Sequence, residues 1–424
     1  MGRVPAGAPY TAPMAHVLRP VLPLLVAASL MLTLAMGLRQ SLGIFMPALT
    51  RDVGIPVAQF TLAIAVQNLT WGFLQPFTGA WAVRWGYRPI MLVGAAFYAA
   101  GLAVLALSSD LWAVVFGAGL APGLALACVG PSIAMSVAAR GVAPGVRSTV
   151  LGVVSAAGSI GTIFAAPLGQ ALMQAQGWRV GVAGFAVLAL MMLPAAWIAG
   201  RADRIPLPAS RGGTDERNAW GAFRESMKSL PFVVMTVAYF VCGMQLVFLT
   251  THLPAYLEIC GMDPMLSAQA LGCIGLFNVL GSLFFGWAGG RWNKLVLLGG
   301  IYVMRSLALV WYFIAPPTPA STLVFASVMG FLWLGVSPLI MGWIADRFGL
   351  RWQAMLGGVA FVSHQLGSFM GAFGGGLLYD ALGNYTLAWQ IGVAVGLAAG
   401  LTQMAFAFGG GRPKPPAGAT PATA

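Results

Sequence analysis

Along this chain the apolar residues do not alternate with polar ones. They run in blocks of about twenty or more, set apart by short polar loops. Strict alternation marks a half-buried strand, whereas unbroken blocks of this length mark helices that cross a bilayer. Twelve blocks are read, at residues 20–48, 58–82, 90–108, 112–138, 148–172, 180–199, 231–256, 267–289, 295–314, 320–343, 353–378 and 387–408. The pattern predicts an all-α membrane protein with twelve transmembrane helices and excludes a β-barrel, whose strands would show alternation. The first block follows Arg19 as a signal-peptide core would. It is too long for one, lacks a small-residue cleavage site and runs on through Gly43 and Phe45, so it reads as a retained span.

Composition strengthens this reading. Of the 424 residues 59% are hydrophobic and 8% charged, with mean hydropathy +0.85, against about 25% charged in soluble domains. The net charge of +12 would suggest nucleic acid if it were scattered. Eighteen of the 22 basic residues instead fall in loops on one side of the twelve blocks, and only Arg51 and Arg179 on the other. That asymmetry places both termini in the cytoplasm, and no nucleic-acid partner is expected. The 19 Arg against 3 Lys suggest a GC-rich bacterial genome and hence an inner membrane. The four cysteines, Cys128, Cys242, Cys260 and Cys273, have no metal-site spacing and read as small buried apolar residues.

The longest interruption, residues 200–230, is polar and carries Pro206, Pro208, Gly212 and Gly213. It divides a 1–19 N-terminal segment and a 20–199 half from a 231–408 half and a 409–424 tail. Its stretch 220–228 is amphipathic and suits the membrane surface. The halves look like copies. Gly79 and Arg84-Trp85 after the second block match Gly286 and Arg291-Trp292 after the eighth, at an offset of 207. Gly158-Ser159 and Gly367-Ser368 match at 209. Parallel six-span repeats place a substrate site at the midplane between the halves of one large transporter class.

The loop Gly79-x-x-x-x-Arg84-Trp85-Gly86-Tyr87-Arg88 resembles the loop after helix 2 of the major facilitator superfamily, and Gly342-Trp343-Ile344-Ala345-Asp346-Arg347-Phe348-Gly349-Leu350-Arg351 resembles it more fully. Three further stretches resemble the bacterial monocarboxylate-transporter-like branch: Arg39-Gln40-Ser41-Leu42-Gly43-Ile44-Phe45, the segment from Ala63 through Gln67-Asn68 to Trp71-Gly72, and Ser363-His364-Gln365 with Gly367-Ser368-Phe369. The resemblance covers all twelve spans and implies two six-helix repeats working by alternating access. Gly79, Arg84, Gly86, Arg88, Asp346 and Arg347 would then form gating loops. Two positions depart from the pattern. Val83 stands where the family's first loop carries an Asp, and Asn278 and Ser282 stand where animal members carry an Asp and Arg pair on helix 8.

Within the spans the charged or titratable residues are Arg39, Arg305 and His364, and all ten acids fall in loops or near span ends. An arginine at the bilayer centre costs about 2.5–3.5 kcal/mol on insertion scales, so a missing partner is expected. An anionic substrate supplies one, because a carboxylate accepts two parallel bonds from a guanidinium. Arg39 reads as that substrate contact, or as a side chain reaching to the outer interface. Arg305 reads as a substrate or gating residue, or as a structural donor to a neighbouring helix's carbonyls. His364 is a proton-coupling candidate, or a hydrogen-bonded structural histidine. Gln67, Asn68, Gln245 and Asn278 are mid-span amides able to complete a polar pocket or to join helices. Tyr239 and Trp333 suit the wall around an apolar substrate tail.

No HExxH, P-loop, CxxC or nucleophile-elbow motif is present, so no enzyme, cofactor or metal is expected. The sequence reading is a monomeric secondary transporter of small organic anions, monocarboxylates first, by proton symport or anion exchange. An exporter of hydrophobic compounds is the alternative, although such a pocket calls for a buried acid. A non-transporting membrane sensor is a remoter one.

Overall fold

A computed structural model of the chain describes residues 19–206, 218–314 and 316–409. The tail from residue 410, nearly all of the N-terminal segment and the middle of the central loop lie outside the described residues. Every regular element among the described residues is helical. The helices group into twelve segments: α1 (Arg19–Leu49), α2 (Val57–Trp85), α3 (Tyr87–Ala106), α4 (Leu111–Arg140), α5 (Pro144–Gln176) and α6 (Trp178–Arg204), then α7 (Leu230–Ile259), α8 (Pro264–Ala288), α9 (Lys294–Ile314), α10 (Pro319–Phe348), α11 and α12 (Thr386–Gly409). Segment α11 runs through Gln353–Phe369, a π-helical turn at Met370–Gly374 and Gly375–Leu382. The amphipathic stretch before α7 forms a helix, Ala219–Lys228. Ala222 and Ser226 face inward there, while Trp220 and Met227 face outward.

Two six-helix repeats are visible in the packing. In the first, α1 lies on α5 where Gly37 meets the backbone of Gly161. In the second, α7 lies on α11 where Gly243 meets the His364 carbonyl and Gly367 meets that of Phe240. The two glycine pairs share one offset of 206 positions, so Gly161 rather than Gly158 is the structural mate of Gly367. Small residues are needed here because two helix backbones touch. The same correspondence joins α3 to α6 as α9 to α12, and α2 to α4 as α8 to α10. The turns between α2 and α3 and after α10 are closed by Gly86 (φ 93°) and Gly349 (φ 82°). This left-handed conformation gives the two loop motifs their glycine.

By length and composition, ten of the segments are apolar enough to cross a membrane, and α2 and α11 are the other two. Those two pack against each other across the repeats. Between them they carry Gln67, Asn68, Gln75, Gln353, His364 and Gln365. Gln67 and Gln75 bond to α4 and Gln353 to α10, while Asn68 and Gln365 meet across the halves. One interruption also needs satisfying. Helix α10 breaks between Phe331 and Val336, which frees backbone groups that lipid could not satisfy. Arg305 fills the gap. Its Nε donates to the Leu332 carbonyl at 3.0 Å, its Nη2 to the Leu332 and Trp333 carbonyls, and its Nη1 contacts Cys242 Sγ at 3.2 Å. Asn278 Oδ1 accepts from the Leu334 N–H at 2.9 Å.

Candidate functional site

The two halves touch along two seams related by the repeat. On the first, α2 meets α11: Gly79 lies against the backbone of Ala354 and Met355, and Gly358 against that of Gln75 and Pro76. The seam reaches the midplane where Gln365 Nε2 donates to the Asn68 carbonyl at 2.9 Å. On the second, α5 meets α8: Gly152 lies against Gly286, Ser155 Oγ reaches Ser282 Oγ at 3.4 Å, and Asn278 Nδ2 donates to Ser159 Oγ at 3.0 Å. These contacts run from the end nearer the arginine-rich loops, at Gly79 and Gly152, to about the middle of the helices, at Asn68, Gln365, Ser159 and Asn278. One turn further along the same faces, Gly275 and Gly272 meet nothing within 4 Å, and Ile163 and Phe369 are exposed. The halves are therefore closed toward the arginine-rich side and parted toward the other. Asp346 fastens the closed side, with Lys294 Nζ at 2.7 Å from its own half and Arg147 Nη1 at 3.7 Å from the other half.

At the floor of the cleft the polar groups converge. Arg39 Nη2 donates to Asn68 Oδ1, its guanidinium lies over the Trp71 ring at 5.1 Å from the centroid, and its Nε is buried with no partner. Asn68 is held in turn, its Nδ2 donating to the Ile64 carbonyl at 3.0 Å. From the other half, Gln365 brings its amide to Asn68 and offers Oε1 to His364 Nδ1 at 3.2 Å. Because the Gln365 NH2 group donates to Asn68, its Oε1 is the acceptor and His364 Nδ1 carries the hydrogen. Tyr239 packs on His364 at 4.7 Å between ring centroids. No acidic side chain pairs with Arg39 among the described residues.

Residues 28–372 match the model of the Major Facilitator Superfamily. The chain belongs to the Major Facilitator Superfamily. It is similar to monocarboxylate transporter 13 of Rattus norvegicus, 26% identical over 86% of this chain and 84% of the relative. It is also similar to the sialic acid transporter NanX of Escherichia coli, 23% identical over 73% of this chain and 75% of the relative. Among solved structures it resembles the E. coli fucose:proton symporter FucP with a TM-score of 0.70, at 16% identity over 91% of this chain and 98% of that one. It resembles the human organic anion transporter MFSD10 at 0.65, with 15% identity over 92% and 100%.

Within this major facilitator fold the other sequence candidates separate. Asn68, His364 and Tyr239 join Arg39. Gln67 does not: its Nε2 donates to the Ala118 carbonyl at 2.7 Å, binding α2 to α4. Gln245 binds α7 to α9 and α12, through Ser306 Oγ at 3.3 Å and the Gly392 carbonyl at 2.9 Å. Asn278 sits in the α5–α8 seam rather than on the floor. Arg305 is fully buried with its guanidinium on the α10 carbonyls, the structural of its two readings, and Trp333 lies half-buried at that same break. In the loops, Gly79 is a seam contact, Arg84 lies over Trp85, and Arg88 lies over Trp197. Asp346 makes the ion pairs above, and Arg347 follows it at the end of α10.

Three features escaped the sequence reading. The loop that has Val83 in place of an Asp is held by another acid, because Asp203 at the end of α6 accepts from the backbone N–H groups of Tyr87 and Arg88 at 2.7 and 3.0 Å. Only folding brings residue 203 to residue 87. His364 is also not the one histidine within a span. His252 on α7 is nearly buried, bonded to the Ala372 carbonyl at 2.9 Å and the Tyr385 hydroxyl at 3.2 Å. Its place inside an apolar block was the available signal. Phe361, packed on Trp71 at 4.6 Å, is one of 24 phenylalanines and carried none.

Proposed function

We propose that this transporter carries small organic anions with a single carboxylate across a bacterial inner membrane by alternating access. The observation that carries the reading is Arg39: a guanidinium at the floor of the open cleft, at the junction of the halves, with Nε unpartnered and no acid beside it among the described residues. An arriving carboxylate supplies the missing acceptor. Binding of one carboxylate fits better than two, because Arg305 is committed to carbonyls and the position matching Arg39 in the second repeat is Gln245, which is uncharged. A buried cation with no partner is costly to occlude. The substrate would thus license the closing of the cleft and the parting of the Gly152–Gly286 and Gly79–Met355 contacts. With both termini in the cytoplasm, as the basic loops argue, the open cleft faces outward.

Coupling follows from His364. Its Nδ1 bears hydrogen toward Gln365, leaving Nε2 as the nitrogen that takes up a proton in a symport cycle. Anion exchange is the second mode, favoured by the permanent charge of Arg39. An exporter of lipophilic cations is disfavoured by the same charge. Counterflow in proteoliposomes tests the function, with vesicles loaded with mono- or dicarboxylates or a lipophilic cation. Exchange of monocarboxylates is expected. Movement of the cation and of no anion would overturn the proposal. A pH gradient that drives wild-type uptake but not that of His364→Gln supports symport.

A further inference from the structure

We infer that the site selects carboxylates whose body is an aromatic ring over saturated ones of the same size, with Phe361 and His364 as the specificity-determining side chains. The inference rests on the carboxylate reading of Arg39 and narrows it. Just below the polar layer of Arg39, Asn68 and Gln365, on the closed side, lies a continuous layer of rings from three helices. Trp71 of α2 packs on Phe361 of α11 at 4.6 Å, Phe361 stacks on His364 at 5.2 Å with 13° between planes, and Tyr239 of α7 closes on His364 at 4.7 Å. Trp71 and Tyr239 are buried, whereas Phe361 and His364 keep part of their surface uncovered. They are the two rings of this layer with surface left uncovered.

The chemistry of the two layers is complementary to one kind of molecule. Ring faces carry partial negative charge and repel a carboxylate, so the anionic head is directed to Arg39. The rings receive the rest of the molecule. The head site and the ring layer adjoin, since the Arg39 guanidinium lies on the Trp71 ring, 5.1 Å from its centroid, and Trp71 packs on Phe361. A carboxylate joined to its ring directly or through one carbon suits that adjacency. Offset-stacked or edge-to-face ring pairs add about 0.5–1.5 kcal/mol beyond area burial, which corresponds to a two- to tenfold preference at about 1.4 kcal/mol per decade. A saturated ring of equal bulk gains the burial without that addition.

The test is counterflow of radiolabelled phenylacetate in proteoliposomes, with uptake into protein-free vesicles subtracted. Phenylacetate and cyclohexylacetate, then benzoate and cyclohexanecarboxylate, serve as unlabelled competitors. The phenyl member of each pair is expected to compete two- to tenfold better. That ratio should fall to one in Phe361→Leu and persist in Phe361→Tyr, with His364→Leu as the second variant should Phe361→Leu fail to fold. Equal or better competition by the cyclohexyl members overturns the inference and leaves the carboxylate reading standing, as does exchange of propionate without exchange of phenylacetate. Exchange of no carboxylate removes both.

Discussion

Substituting Gly152 by leucine should drive the transporter out of the state described above. A Cβ at residue 152 would lie 2.6 Å from both the Gly286 α-carbon and the Ser282 carbonyl oxygen. Both are backbone, so no side chain can swing aside, and the seam must separate. Overpacking of this kind costs about 1–3 kcal/mol. The cost falls on the closed seam alone, because the state with these ends apart leaves room for the new side chain. The helix-propensity gain on leaving glycine, about 0.8–1 kcal/mol, is common to both states and cancels in their ratio. At about 1.4 kcal/mol per decade, the population closed on the arginine-rich side should fall about five- to 150-fold relative to its alternative. Spin labels at Gln176→Cys and Gln269→Cys, exposed at the far ends of α5 and α8, would report this in a background lacking the four native cysteines. Their distance distribution should shift to shorter values in Gly152→Leu. It should stay unchanged in Gly300→Ala, whose Cβ would meet nothing within 4 Å. A folded Gly152→Leu protein with the wild-type distribution would refute the view that this glycine contact sets the closed state.

Three other substitutions follow from the contacts. Asp346→Asn removes both ion pairs, but the carboxylate is 47% exposed, so the loss is about 0.2–1 kcal/mol; the same labels should show only a few-fold shift, and a change as large as that of Gly152→Leu would contradict this. Arg305→Met leaves the Leu332 and Trp333 carbonyls without donors at about 1–3 kcal/mol each, so melting of the purified protein should fall by several degrees; a changed substrate KM at unchanged stability would instead make Arg305 a binding residue. Asp203→Ala uncaps α3 at about 1 kcal/mol and should lower the melting temperature with substrate affinity unaltered, as thermal unfolding and binding on one preparation would show.

The spans and the repeat were legible because apolar blocks and loop arginines are local properties of a chain that must satisfy a bilayer. The site was legible in part. Arg39 and His364 stood out because charge inside an apolar block is rare, and Asn68 lay beside a motif. Gln67 and Asn68 could not be told apart, since neighbours on a helix point about 100° apart and only the position of α4 and α11 decides which one faces a carbonyl and which the cleft. Arg305 was ambiguous for a similar reason. Its partners are the carbonyls of a helix break at residues 332–335. Gly335 and Pro338, whose ring displaces the Leu334 carbonyl, mark that break in the sequence, but only the packing of α9 on α10 brings Arg305 to it. Asp203 and Phe361 depend on contacts more than one hundred residues apart in sequence, Asp203 with Tyr87 and Phe361 with Trp71.

The claim that a carboxylate is held by Arg39 is tested most directly by counterflow of the best exchanged monocarboxylate in wild type, Arg39→Lys and Arg39→Gln. Hydrogen bonds to a charged group contribute about 1.5–3 kcal/mol, so Arg39→Gln should raise the half-saturating concentration about ten- to a hundredfold. Arg39→Lys should recover only part of that, because an ammonium cannot reproduce the two-pronged guanidinium contact. Saturation of Arg39→Gln at the wild-type concentration, in a protein shown to be folded and inserted, would contradict the account.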